Sequence, residues 1–250
     1  MTVPDPAALR GLLRLDHVDA GYGPFKALFD VSFSVPYGGA VALLGTNGAG
    51  KTTAARVASG LLAPTRGTVS FHQNDITGLP THEVARRGVA HCVEGRSVFG
   101  SLTVAENLTM MLRLPAGSDP DATRFGISGP PGVEAAYELF PRLGERRTQI
   151  AGTLSGGEQR MLALAPVLIA KPRLLIADEL SLGLAPVIVD EVYERLAEAK
   201  AGGTALLIVE QHADHALALA DKVVVLRNGS VAYDGPPLPL TDLAPHILGT

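Results

Sequence analysis

The chain has 250 residues, of which 46% are hydrophobic and 18% are charged, and its formal net charge is -4. This composition predicts a globular protein with a sizeable core, and the negative balance argues against a general nucleic-acid binder, whose surface is usually basic. No apolar stretch reaches the roughly 18 to 20 residues that a membrane-spanning helix needs, and the single cysteine, Cys92, excludes an internal disulfide.

Strand-like and helical patterns alternate along most of the chain. Short apolar runs between Gly and Pro turns predict strands at 12–18, 31–35, 40–44, 68–71, 88–93, 173–177, 204–209 and 222–226. Helical spacing of apolar residues predicts helices at 51–62, 103–112, 133–139, 155–169, 186–200 and 211–220. This alternation predicts an α/β fold whose mostly parallel sheet is covered on both faces. Near the end, "VVVLRNGSVAYDG" predicts a hairpin that turns on Asn228 and Gly229.

The domain organisation follows from where these patterns stop. Residues 1–11 are expected to be a loose tail without a secretion signal, and residues 12–250 a single domain. Strand-like runs disappear from about 95 to 165, which predicts an inserted helical subdomain. Within it, residues 115–132 are rich in Gly, Pro, Ser and Asp, a composition typical of a mobile surface insertion.

A candidate phosphate-binding loop, "GTNGAGKTT", follows the apolar run "AVALL" and opens a helix. It fits the pattern G-x-x-x-x-G-K-[ST], in which backbone N–H groups converge on phosphate oxygens and the lysine reaches the β and γ phosphates. Thr52 would offer its hydroxyl to Mg²⁺, and Thr53 would lie near the α-phosphate. A chance match in a Gly-rich turn is the alternative, which the flanking strand and helix disfavour. The predicted nucleotide contacts are Thr46, Asn47, Gly48, Ala49, Gly50, Lys51, Thr52 and Thr53.

Two carboxylates end the later apolar run "RLLIADE". Asp178 at the carboxyl end of this strand would lie beside Thr52 and hold Mg²⁺ through a water molecule, and Glu179 would be the general base for the attacking water. The alternative is an acidic strand end that faces solvent. That alternative loses weight because the chain also carries the phosphate loop.

A second candidate anion site lies in "TLSGGEQ", where Ser155 and Glu158 fit a helix capping box. Many residues other than glycine could follow the capping serine at positions 156 and 157. Gly156 and Gly157 each lower the stability of a helix by roughly 1 kcal/mol. The two glycines therefore predict that something approaches the backbone closely. A helix start with a serine hydroxyl and bare amides suits a γ-phosphate.

These motifs together resemble the ATP-binding subunits of ABC transporters, whose signature LSGGQ appears here as residues 154–158. The resemblance implies a P-loop NTPase core with an N-terminal antiparallel β subdomain, and two subunits paired head to tail so that each signature completes the partner's ATP site. It also implies that Tyr22 stacks on adenine, that Glu94 senses the metal and the attacking water, and that Gln211 takes the place of the usual switch histidine. Residues 181–184 would lie across the dimer interface.

The strings "VEGRSVF", "SGGEQRMLAL", "SLGLAP" and "VEQHADHALALAD" resemble one subgroup, the LivF-type ATPases of branched-chain and hydrophobic amino acid importers. The implied partners are integral membrane permease subunits, a second ABC ATPase that is a copy or a related chain, and, indirectly, an extracytoplasmic solute-binding protein. The implied location is the cytoplasmic side of the membrane. A urea or amide importer, an exporter, and a soluble ATPase acting on DNA or ribosomes remain the alternatives.

The chain departs from the family pattern at a few positions. Glu94 stands where most members have glutamine, Leu180 where proline usually follows the catalytic glutamate, and Pro166 where arginine is common. Pro166 removes one helical hydrogen bond and predicts a kink rather than an end of the helix. His212 and His215 have helical spacing, but without a third ligand nearby they are more consistent with a surface than with a metal site.

Overall fold

A computed structural model describes residues 11–93, 98–113, 132–211 and 213–249. The strands are β1 (Gly11–Tyr22), β2 (Phe25–Pro36), β3 (Ala40–Leu44), β4 (Arg66–Phe71), β5 (Asn74–Asp75), β6 (Val89–Cys92), β7 (Leu174–Asp178), β8 (Ala205–Glu210), β9 (Lys222–Arg227) and β10 (Ser230–Gly235). The helices are α1 (Lys51–Ala58), α2 (Thr81–Arg86), α3 (Val104–Arg113), α4 (Val133–Leu139), α5 (Pro141–Glu145), α6 (Gly156–Ile169), α7 (Pro186–Ala201), α8 (Ala213–Leu219) and α9 (Leu240–Leu248). Glu94, His212 and nearly all of the predicted insertion at 115–132 lie outside the described residues.

The central sheet has six strands in the order β10-β9-β3-β8-β7-β6. Its strands run parallel except β10, which pairs antiparallel with β9 through a turn at Asn228 and Gly229, both with positive φ. The predicted parallel α/β core and the predicted hairpin are therefore confirmed. Strand β3 lies inside this sheet between β8 and β9, which explains why all five of its residues are apolar and buried.

Alternate residues of β3 face two different cores. Val41 and Leu43 pack with α1 and the N-terminal strands, whereas Ala42 and Leu44 pack with the helices that follow β6. Because side chains alternate along a strand, one five-residue segment joins both halves of the molecule. The phosphate loop that follows β3 thus leaves from a strand packed on both faces.

A second sheet has the order β2-β1-β4-β5, and all of its pairings are antiparallel. The predicted strands at 12–18 and 31–35 were too short, since β1 and β2 form a long hairpin that turns at Gly23 and Pro24. Irregularities in the backbone interrupt the alternation of apolar residues along both strands. His17 and Asp30 have φ of 50° and 55°, and the register between β1 and β2 shifts near both residues.

The described residues between β6 and β7 contain helices α3 to α6 and no named strand. Helix α6 continues through Pro166 to Ile169, so the prediction that this proline does not end the helix is confirmed. The predicted helix at 51–62 was too long, because Gly60 takes a φ of 72° and the chain turns back, with Leu61 N–H and Leu62 N–H bonded to the Arg56 carbonyl. None of the helices in the described ranges has both the length and the apolarity needed to cross a bilayer.

Candidate functional site

The predicted phosphate loop connects β3 to α1, and its shape depends on glycine. Gly45 has a φ of 154°, and a Cβ there would lie 2.3 Å from the Leu226 carbonyl oxygen. Gly50 has a φ of 101°, and a Cβ there would lie 2.8 Å from the Leu28 side chain. A side chain at either position would therefore collide with its neighbours. The predicted contacts Thr46, Asn47 and Gly48 are exposed at the mouth of the loop.

The turn between β9 and β10 supports the outer side of this loop. The Gly229 N–H donates to the Ala49 carbonyl at 3.0 Å, and the Gly229 carbonyl accepts from the Phe29 N–H at 2.8 Å. One residue near the end of the chain thus joins the phosphate loop to the N-terminal sheet. The backbone of Gly229 thus fixes the position of the phosphate loop relative to the N-terminal sheet.

Lys51 is buried inside the loop, with 4% of its side chain exposed. Its ammonium donates to the carbonyls of Gly45 and Thr46, at 3.0 and 3.2 Å, and lies 3.9 Å from Glu179 Oε1. Burial lowers the pKa of Lys51, while the negative charges of Glu179, Asp178 and Glu210 oppose that shift. The cation therefore lies where a phosphate with its several oxygens would be a better partner than two neutral carbonyls.

Thr52 and Asp178 meet as the sequence predicts, with the Thr52 hydroxyl donating to Asp178 Oδ1 at 3.3 Å. Asp178 is 1% exposed, and its Oδ2 has no hydrogen-bond partner among the described residues. A buried carboxylate oxygen without a donor needs a compensating group. A hydroxyl and a carboxylate are hard oxygen ligands of the kind that Mg²⁺ takes together with water and phosphate, so these residues fit that ion.

Glu179 follows directly, in an uncommon backbone conformation with φ of 49°. Its N–H donates to the Val209 carbonyl at 2.8 Å, and its own carbonyl accepts from Arg160 at 3.4 Å. This left-handed turn at the end of β7 directs the carboxylate toward the loop, where it lies near Lys51. The predicted general base thus lies beside the cation that is predicted to bind the β and γ phosphates.

Gln211 is exposed immediately after β8, and the residue before it is a buried carboxylate. Glu210 Oε1 accepts from the Ser181 N–H at 3.1 Å and from the Tyr193 hydroxyl at 3.2 Å, and its Oε2 accepts from the Ser181 hydroxyl at 2.8 Å. Burial and the charge of Glu210 raise the pKa of Tyr193 well above its usual range, so that hydroxyl keeps its proton. This network fixes the end of β8 to the segment that follows Glu179.

Tyr22, the predicted adenine contact, lies at the end of β1 with 43% of its surface exposed. Arg56 of α1 donates to the Tyr22 hydroxyl at 3.0 Å, and its guanidinium lies 5.8 Å from the ring centroid. Arg56 lies one turn beyond Thr52 on α1. The Tyr22 ring is therefore bonded to the helix that begins at the phosphate loop. An exposed aromatic ring is a surface on which a purine base can stack.

The second predicted site begins α6, and the predicted capping box is confirmed. Glu158 N–H donates to the Ser155 hydroxyl oxygen at 3.3 Å, and Glu158 Oε2 accepts from the Ser155 N–H and hydroxyl, both at 2.9 Å. The two glycines differ: a Cβ on Gly157 would lie 3.0 Å from Ile188 Cγ2, whereas a Cβ on Gly156 would meet no atom of the described residues within 4 Å. Packing within the chain therefore accounts for Gly157, but not for Gly156.

The structure brings only some of the predicted site residues together. Lys51, Thr52, Asp178 and Glu179 form one connected group. None of the hydrogen bonds among the described residues joins Ser155 or Glu158 to the phosphate loop. The two candidate anion sites therefore share no hydrogen bond among the described residues.

Comparison with known proteins shows to which family the chain belongs. Residues 28–181, which include the phosphate loop, the capping box and both carboxylates, match the family model described as ABC transporter. The chain belongs to the ABC transporter ATP-binding family. It is therefore an ATP-hydrolysing subunit with an α/β P-loop NTPase fold.

The curated relatives of this ABC ATPase cover most of its length. It is 41% identical to the high-affinity branched-chain amino acid transport ATP-binding protein BraG of Pseudomonas aeruginosa, over 88% of this chain and 91% of that protein. It is 33% identical to a probable branched-chain amino acid transport ATP-binding protein LivF of Archaeoglobus fulgidus, over 90% and 92%. It is also 33% identical to the lipopolysaccharide export ATP-binding protein LptB of Acidithiobacillus ferridurans, over 92% of both chains.

Solved structures agree on the ABC fold. A nucleotide-free ATP-binding cassette from an ABC transporter matches with a TM-score of 0.78 and 28% identity, over 96% of this chain and 95% of that one. The ADP conformation of another such cassette matches with a TM-score of 0.75 and 30% identity, over 90% and 91%. Each match covers at least 90% of this chain.

Several residues around this ABC site carried no signal in the sequence. His91 lies on β6 with its Nε2 3.9 Å from Asp178 Oδ2 and its Nδ1 2.8 Å from the Ser59 hydroxyl. Arg56 and Arg146 likewise belong to no motif. Only their contacts, made across distant parts of the chain, connect them with the site.

Proposed function

We propose that this ABC ATPase energises the import of branched-chain or other hydrophobic amino acids through a separate membrane permease, from the cytoplasmic side. The observation that carries the proposal is the 41% identity to BraG over nearly the whole of both chains. The identity to the lipopolysaccharide exporter protein LptB is lower, at 33%. The motifs identified in this chain would serve hydrolysis rather than choice of solute, so the solute must be tested directly.

The chemistry proposed for the first site follows from the placement of its side chains. Lys51 would exchange its carbonyl partners for β and γ phosphate oxygens, and Thr52 with Asp178 would hold Mg²⁺, which supplies positive charge to the phosphates. Glu179 would accept the proton of a water molecule whose oxygen attacks the γ-phosphorus. The bond from that phosphorus to the oxygen bridging it to the β-phosphate breaks, and ADP and phosphate leave. Gln211 would donate an amide hydrogen bond to the γ-phosphate.

The second site is proposed to act on a neighbouring subunit. Ser155 and Gly156 are exposed at the start of a 14-residue helix, and in this chain they are not bonded to the phosphate loop. A helix start with free amides attracts an anion. We infer a head-to-tail dimer, of two copies or of two related ABC ATPases, in which each ATP lies between the phosphate loop of one subunit and residues 155–158 of the other.

The test is uptake of radiolabelled leucine, isoleucine and valine by cells that lack this chain. The proposal predicts that these cells lose uptake, that the wild-type chain restores it, and that the Lys51→Ala variant does not. Normal uptake of all three amino acids in the deletion strain would refute it. Recovery of permease subunits with the tagged chain is expected, whereas recovery of ribosomes or DNA would favour the soluble alternative.

A further inference from the structure

Glu158 places a carboxylate at the helix start that is proposed to bind a γ-phosphate. Its side chain is 11% exposed, and its Oε2 holds both the N–H and the hydroxyl of Ser155. Its Oε1 lies 2.5 Å from the Nε of Arg146, which follows α5 and has 43% of its side chain exposed. Every oxygen of the carboxylate thus has a partner before a nucleotide arrives.

This arrangement conflicts with the binding of an anion unless the charge is cancelled. The Ser155 hydroxyl has one proton, and in the free subunit that proton points to Glu158. A γ-phosphate near Ser155 must compete for this proton and also approach a second negative group. Although burial raises the pKa of Glu158, the hydrogen bonds from Ser155 and the charge of Arg146 outweigh it and hold the pKa below its usual range. The carboxylate is therefore ionised at neutral pH.

The ion pair of Arg146 with Glu158 is expected to add little to the free energy of unfolding. Ion pairs with an exposed partner contribute little to the free energy of unfolding, because water screens the charges and the side chain loses rotational freedom. Arg146 nevertheless forms an ion pair with Glu158, and it lies on the carboxylate oxygen that Ser155 does not use. Its effect is therefore expected on the local charge at the helix start rather than on folding.

We propose that Arg146 is a positioning residue for the second phosphate site, which cancels the charge of Glu158 so that the γ-phosphate of a partner's ATP can approach Ser155. The proposal rests on the proposed head-to-tail function. Arg146 itself touches no nucleotide in this account. It acts through Glu158, so its importance must vanish when residue 158 is neutral.

The experiment compares four proteins in a Glu179→Gln background, in which bound ATP is expected to persist: the parent, Arg146→Gln, Glu158→Gln and the double variant. ATP is titrated while association, with itself or with the companion ATPase, is followed by sizing with light scattering. We expect Arg146→Gln to raise the ATP concentration for half-maximal association by at least about tenfold in the parent. In the Glu158→Gln background the same change is expected to have less than about a threefold effect, because no charge remains to be cancelled.

Three controls separate this role from a structural one. Arg147→Gln removes an equal charge from the adjacent exposed position and is expected to leave association unchanged. Binding of a fluorescent ATP analogue to the isolated subunit reports the first site, and Arg146→Gln is expected not to alter it. Urea unfolding of each variant confirms that the fold is intact.

The outcomes are distinguishable. A parent that fails to associate with ATP refutes the head-to-tail function and this inference with it. A parent that associates equally well with and without Arg146 overturns the inference alone. Equal losses from Arg146→Gln in both backgrounds would also overturn it, since that result assigns Arg146 a structural role independent of the Glu158 charge.

Discussion

Substituting Gly156 with alanine separates what the fold needs at the second phosphate site from what a ligand needs there. A Cβ at this position meets no heavy atom within 4 Å, and the backbone does not have the positive φ that alanine avoids. Replacing glycine by alanine in a helix raises the free energy of unfolding by about 0.5–1 kcal/mol, a gain of about 1–4 °C in Tm for a chain of this size. Because Gly156 is the first residue of α6, the lower half of that range is expected.

The same methyl group would cover the surface that the proposed γ-phosphate must reach. Loss of one hydrogen bond to a charged group costs about 1.5–3 kcal/mol, which corresponds to a roughly 10- to 150-fold weaker interaction. Gly156→Ala should therefore fold as well as the parent or better, yet need at least about tenfold more ATP to associate in the Glu179→Gln background. Sizing with light scattering measures the second effect, and urea unfolding measures the first.

Gly157→Ala is the matched comparison, because its Cβ would lie 3.0 Å from Ile188 within the same chain. It should lower stability unless Ile188 shifts, whatever binds at the helix start. The reasoning about Gly156 is wrong if Gly156→Ala associates at the same ATP concentration as the parent while keeping its stability. In that case nothing approaches Gly156 closely, and the glycine has no ligand-dependent role.

Four further outcomes are expected. Lys51→Ala should abolish MgATP hydrolysis and weaken nucleotide binding, so turnover near the wild-type rate in a phosphate-release assay would contradict the assignment of the phosphate loop. Glu179→Gln should bind ATP but stall hydrolysis and accumulate an ATP-dependent dimer on sizing; normal turnover would remove Glu179 as the base. Gln211→Ala should lower the ATP turnover rate substantially. His212→Ala should keep a turnover rate within a few-fold of the wild-type rate, with the same dependence on pH between about 6 and 8. A larger loss of turnover in His212→Ala than in Gln211→Ala would identify His212 as the switch residue. Glu210→Ala should lower the free energy of unfolding by about 2–4 kcal/mol in urea, because three donors lose their acceptor, whereas Glu210→Gln should cost less than half as much.

The parts of the fold that the sequence predicts well are those with a local cause. The apolar run of β3, the Asn228–Gly229 turn and the capping box of Ser155 and Glu158 each depend on a few adjacent residues, and each is confirmed. The sequence was less informative where a local pattern is interrupted. Bulges hid the full length of β1 and β2, and prolines in "GPPLPLTDLAPHIL" hid α9, which contains Pro245.

The site divides in the same way. The phosphate loop and the pair Asp178 and Glu179 are visible in the sequence, because each needs several residue types at fixed spacing. The contacts of Arg146 with Glu158 and of Arg56 with Tyr22 join segments 12 and 34 residues apart, and neither arginine belongs to a spaced motif. Their partners are set by packing, which no short stretch of sequence encodes.

The position of β3 has a consequence for how the protein is made. Both strands that flank it, β8 and β9, begin more than 150 residues later in the chain, and the turn that supports the phosphate loop follows them at Gly229. During synthesis the loop sequence therefore leaves the ribosome long before the two strands that flank β3 and the turn at Gly229 exist. Closing such long separations is slow and costs chain entropy. The nascent chain therefore carries the phosphate loop without the support of Gly229, and β3 without its flanking strands, until more than 150 further residues have been translated.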